Sequence, residues 1–93
     1  MTCEAIFEAL YDHDAKEIII LTDLCGATPS NIATRVATRL NEHHVATELV
    51  CGVNPGMVIS AIAYRAHDLS ELTDKVIDGG AKSIRTLVST DTE

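Results

Sequence analysis

Apolar positions switch along this chain between helical and strand spacing, and the switches mark its elements. Cys3, Ile6, Phe7 and Leu10 fall at i, i+3, i+4 and i+7 behind Thr2, a helix-capping residue, which predicts a first helix ending near Tyr11. After the polar turn Asp12-His13-Asp14 comes Glu17-Ile18-Ile19-Ile20-Leu21-Thr22, a short β-branched run that reads as a central strand covered on both faces. From Asn31 to Leu40 the residues Ile32, Ala33, Val36, Ala37 and Leu40 form one stripe, with Thr34, Arg35 and Arg39 elsewhere, so an amphipathic helix is predicted. Val45 to Cys51 reads as a second strand, and Gly56 to Ala66 as a helix carrying Val58, Ile59, Ile62 and Ala63 at helical spacing. Asp68 with Glu71 makes a capping-box-like start to another helix, whose Leu69, Leu72 and Val76 face inward and which Gly79-Gly80 should stop. Ser83 to Val88 reads as a last strand, and Ser89 to Glu93 as a polar tail.

Strands separated by helices imply parallel pairing, so the expected fold is α/β: an open, mainly parallel sheet with helices on both faces. The last strand is expected either antiparallel at an edge or exchanged with a neighbouring subunit. Residues 1–93 allow one domain, since a chain of this size buries only about two thirds of the surface it exposes unfolded.

Composition narrows the function. The chain is 46% hydrophobic, yet no run approaches the roughly 18 apolar residues of a membrane span. Met1 to Leu10 lacks a basic start and a cleavable apolar stretch, so a cytoplasmic location without membrane insertion is expected. A net charge of −7 repels nucleic acid, and only Phe7, Tyr11 and Tyr64 offer rings for stacking on single strands. Cys3, Cys25 and Cys51 form an odd set with no CxxC pair or metal-ligand spacing; reduced thiols are expected, with no metal and no cofactor.

The strongest local signal is an internal echo. Cys25-Gly26-Ala27-Thr28-Pro29 recurs 26 residues later as Cys51-Gly52-Val53-Asn54-Pro55, each copy following a strand and opening a helix. In each, glycine permits a tight turn, Thr or Asn can cap, and proline suits the first helical position because its missing N–H has no intrahelical partner. If the strands are parallel neighbours, both turns lie at the carboxyl edge of the sheet and direct helix N-termini there, a setting that favours an anion such as phosphate. Asp23 at the strand end cannot hold a phosphate itself; it suits the role of a carboxylate accepting an N–H from a histidine and supporting positive charge on the ring. The plain alternative stays open: proline-started helices occur without ligands, Asp23 can merely cap a turn, and Cys25 and Cys51 can be small residues that fit.

The run Ile19-Ile20-Leu21-Thr22-Asp23-Leu24-Cys25-Gly26-Ala27-Thr28-Pro29-Ser30-Asn31 resembles the signature of the mannose/fructose-family phosphotransferase-system enzyme IIA. Cys51-Gly52-Val53-Asn54-Pro55-Gly56-Met57 is similar to that family's second turn, Tyr64-Arg65 to its following helix end, and Gly79-Gly80-Ala81-Lys82-Ser83-Ile84 to its closing segment. The resemblance implies a phosphoryl carrier between the histidine-containing protein HPr and a IIB component for sugar uptake. It assigns Asp23 to the carboxylate that orients the phosphohistidine and Thr28 to a hydroxyl of the phosphate-binding turn formed by Gly26, Ala27, Pro29, Ser30 and Asn31. Gly52, Asn54 and Pro55 fall in the second turn, and a homo-oligomer joined through the last strand is implied.

Two departures accompany the resemblance. Pro55 follows Asn54 directly, and Gly56 stands where the family has proline. The family also begins with a strand ending in His-Gly, a helix and a second strand, so this chain is expected to be the C-terminal part of the usual domain, without the phosphoacceptor. His13 falls before the first strand, at the amino edge; His43 and His44 follow a helix C-terminus, where imidazolium is favoured; His67 lies between helices. The strand at Ile18 to Leu21 becomes an edge guarded only by Lys16 and Glu17, which predicts self-association by strand pairing. Two further functions compete: a thiol phosphoacceptor at Cys25, activated beside helix N-termini, and a non-catalytic remnant that binds partners or regulates.

Overall fold

A computed structural model describes residues 2–26 and 28–90, with the backbone alone for 28–30. The order of elements is α1 (Cys3–Tyr11), β1 (Glu17–Thr22), α2 (Thr28–Glu42), β2 (Ala46–Cys51), α3 (Pro55–Ala63) and α4 (Leu69–Lys82). β1 and β2 pair in parallel, with Glu17 opposite Ala46 and Thr22 opposite Cys51, as the helix between them requires.

Alternation along β1 sends its side chains to two separate cores. Ile18 and Ile20 pack with Phe7, Val36, Leu40 and Val45 beneath α1 and α2, while Ile19 and Leu21 join Val50 against Met57, Leu72 and Val76 of α3 and α4. The strand pair is thus covered on both faces, and the predicted open α/β architecture is present. Leu40 and Val76 are fully buried, one at the centre of each layer.

Helix starts follow the expected caps. Thr2 accepts from Ala5 N at 3.1 Å and Asp68 from Glu71 N at 2.9 Å. At the end of α2, His43 Nδ1 lies 2.8 Å from Arg39 O, a C-terminal cap as the sequence implied.

Several boundaries differ from expectation. α2 is longer than Asn31 to Leu40, and α3 stops at Ala63 rather than Ala66, its end marked by Tyr64. Gly79-Gly80 does not stop α4, which runs on to Lys82. These glycines serve close helix packing: a Cβ on Gly79 would overlap Ser60 Oγ, and one on Gly80 would overlap Met57 Cγ. The last strand is absent among the described residues; Ser83 caps α4 and the chain continues as exposed coil, with Ile84 at 75% and Leu87 and Val88 at 89% exposure. A β-prone segment forms a strand only beside a partner edge, and among the described residues none lies alongside this one.

The two outer edges of the sheet differ. Thr47 on β2 has its N–H bonded to Asn41 Oδ1 at 2.8 Å and its carbonyl to Asn41 Nδ2 at 3.1 Å, so one side chain substitutes for a neighbouring strand. β1 pairs only with β2 among the described residues, and its other edge opens into a groove of about 390 Å³ lined by Ile6, Leu10, Ile32, Ala33 and Val36 together with its own isoleucines.

Candidate functional site

The two turns of the echo sit side by side at the carboxyl edge. Past the last ladder pair, Gly52 N donates to Asp23 O at 2.7 Å and Val53 N to Thr22 O at 3.0 Å, so each turn leaves its strand in contact with the other. Gly26 and Gly52 occupy the same left-handed region, with φ of 82° and 81°. That region is strained for residues with a Cβ, which explains why glycine follows the cysteine in both copies.

From this edge α2 and α3 depart to opposite faces of the sheet, and neither has an acidic residue in its first turn to offset the positive end of its dipole. Pro55 occupies the first turn of α3 behind Asn54, the expected proline start. Asp23 is exposed, and its Oδ1 accepts from Leu24 N at 2.7 Å. Asn31 lies on the first turn of α2 and joins Thr22, Cys25, Gly26, Thr34, Leu49 and Cys51 around a cleft of about 170 Å³ on the α2 face. Ala27 and the side chains of Thr28, Pro29 and Ser30 lie outside the described residues; the backbone of 28–30 opens α2.

Asn54 is engaged within the fold. Its Oδ1 accepts from Met57 N at 3.1 Å as the α3 cap, its Nδ2 donates to Gly80 O at 3.1 Å, and Ser83 Oγ donates to its Oδ1 at 3.2 Å. The second turn is therefore fastened to the end of α4, a tie that spans 26 to 29 residues and has no local sequence signature. Gly80 and Ser83 enter the neighbourhood of the site only through this contact.

The cysteine expectation is corrected. Cys25 and Cys51 form a disulfide, with Cα atoms 5.5 Å apart, and only Cys3 is free. Counting cysteines concealed the pair, although the echo contained the signal: equivalent positions after adjacent parallel strands are neighbours. With its sulfur bonded, Cys25 has no thiolate with which to accept a phosphoryl group in this structure.

The four histidines all lie at the other end of the sheet. α1 and α2 end at the amino edge, which places His13, His43 and His44 there, and α3 runs the same way, so His67 in the α3–α4 connection joins them. A six-residue strand separates that edge from Asp23 by about 20 Å. Among the described residues no group of His, Cys, Asp or Glu could hold a metal ion, and no helix is long and apolar enough to cross a membrane.

A parallel strand pair sandwiched by helices, with two glycine turns and a carboxylate at its carboxyl edge, defines an open α/β domain. Residues 1–77 match the family described as PTS system fructose IIA component, and the chain belongs to that family. Among solved structures it is similar to phosphotransferase system component EIIA from Streptococcus agalactiae, at 30% identity and a TM-score of 0.72, over 92% of this chain and 68% of that one. No curated protein sequence matches the chain.

Proposed function

We propose that this member of the IIA family acts in phosphoryl transfer between HPr and a IIB component, with its carboxyl edge as the phosphate-handling surface. One observation carries the proposal: both turns leave the paired strands at one edge, cross-bonded at Asp23–Gly52 and Thr22–Val53, with two uncompensated helix starts beside them. In this role Gly26 to Asn31 receive the phosphoryl oxygens, Gly52, Asn54 and Pro55 shape the adjoining turn, and Asp23 orients a phosphorylated imidazole and stabilises its charge. That imidazole is none of the four histidines of this chain, all of which lie at the amino edge. Pairing of a second copy along the open edge of β1 belongs to the same proposal; a stable monomer in sedimentation at micromolar concentration would exclude it.

The test is titration with HPr kept phosphorylated by enzyme I and phosphoenolpyruvate, followed through amide chemical shifts. The expected shifts fall on residues 22–31 and 51–57, are larger with phosphorylated than unphosphorylated HPr, and weaken in Asp23→Asn. Shifts that ignore the phosphoryl group would favour the second role, a partner-binding domain without phosphoryl chemistry, which the distance of every histidine from Asp23 supports. An acid-labile, base-stable label appearing on the chain itself would show that one of its own histidines accepts the group, contrary to the placement above.

A further inference from the structure

The disulfide is placed where its state decides how firmly the carboxyl edge is built. We propose that Cys25–Cys51 is a reversible redox lock: oxidised, it fastens residues 23–26, which follow β1, to the end of β2; reduced, it releases them. Its bearing on phosphate rests on the function proposed above, whereas the lock itself does not.

Among the described residues, the backbone bonds past the ladder run from Gly52 N to Asp23 O and from Val53 N to Thr22 O; beyond them Leu24 N turns back to the Asp23 carboxylate while the Leu24 side chain stands exposed. At Gly26 no described atom outside its chain neighbours lies within 4 Å of the position a Cβ would take, so that side of the turn faces open space. The bond from Cys25 therefore joins the second half of the turn to β2. Neither bridged cysteine belongs to a core cluster, so opening the bond leaves both cores packed.

Both bridged residues are exposed, which admits small thiols and disulfides from solution. Cys25 also stands just ahead of α2, where a helix N-terminus favours the thiolate. A small-molecule disulfide is the oxidant the step requires. One cysteine thiolate attacks it, forming a mixed disulfide and releasing one thiol; the second cysteine then displaces the other thiol. Two protein thiols are oxidised, one small disulfide is reduced to two thiols, and excess small thiol reverses the exchange. Cys3 packs partly buried against the core under α1 and α2, away from this chemistry.

Hydrogen exchange on the whole chain, with dithiothreitol or with glutathione disulfide, tests the lock. Amides of residues 23–26 should gain exchange after reduction beyond the general loss of protection that β1 and α4 show, and glutathione disulfide should restore protection with loss of two hydrogens by mass. Cys25→Ser and Cys51→Ser should show the fast turn under both conditions, and Cys3→Ala should retain the response. Equal exchange in the two states, or a bond that does not re-form, overturns the proposal. Inorganic phosphate, titrated by NMR, should bind the reduced form about threefold or more weakly, because the turn must then be ordered by the ligand. Equal affinity in both forms overturns regulation of the site; a redox-dependent turn with no phosphate binding in either form supports the lock and removes the phosphate role.

Discussion

Replacing Asn54 by alanine separates a scaffold role from a ligand role at the second turn. The substitution deletes the α3 cap on Met57 N, the bond to Gly80 O and the acceptor for Ser83 Oγ. Loss of an N-cap costs about 1 kcal/mol. The half-buried amide bond to Gly80 O adds about 0.5–1.5 kcal/mol. Ser83 loses little, because its hydroxyl keeps Gly80 O as an acceptor at 2.7 Å. The sum is about 2 kcal/mol, equivalent for a domain of this size to a fall in Tm of about 8–16 °C. Asn54→Ser keeps a capping oxygen but cannot reach Gly80, so it should lose about half as much. Urea unfolding, analysed for free energy and slope, measures both variants. If Asn54→Ala changed stability by less than about 0.5 kcal/mol, Asn54 would not be tying α3 to α4 as described.

Three further outcomes follow from packing and covalent structure. Gly56→Ala would place a Cβ 2.7 Å from Ser83 Cβ and 2.8 Å from the backbone oxygen of Gly79. Since backbone cannot rotate away, overpacking of about 1–3 kcal/mol should outweigh the helix-propensity gain of at most about 1 kcal/mol, and Tm should fall; a rise would refute this. Leu40→Ala empties a fully buried site in the core under α1 and α2 and should cost about 2–5 kcal/mol by denaturant titration, whereas a surface-like loss would show that this core is not close-packed. Reducing Cys25–Cys51 opens a loop of 26-residue separation, for which chain entropy predicts a loss of about 3.5 kcal/mol, checked by urea unfolding with and without reductant; unchanged stability would contradict that account.

The elements were legible wherever local periodicity and local capping agree. Thr2, Asp68 and Pro55 start helices as their residue types require, because a cap acts within three residues of itself. The side-by-side placement of the two turns was legible as well, since repeated strand-turn-helix units in parallel register bring equivalent positions together. Misreadings cluster where a distant contact overrides a local preference. Gly79-Gly80 has the composition of a helix stop, yet α3 packs so closely there that only glycine fits, and α4 continues. Ser83 to Val88 has strand composition but pairs with no strand among the described residues, because α4 ends away from the open edge of β1.

At the candidate site the same division holds. Residue order alone established that Asp23 and two glycine turns stand at strand ends, because hydrophobic period and turn chemistry are properties of neighbouring residues. Packing alone decided that Cys25 is bonded to Cys51, that Asn54 reaches across to Gly80, and that all four histidines face the opposite edge from Asp23. Those relations join residues far apart in the chain, and only the register of β1 with β2 and the course of the helices across the sheet bring them together or keep them apart.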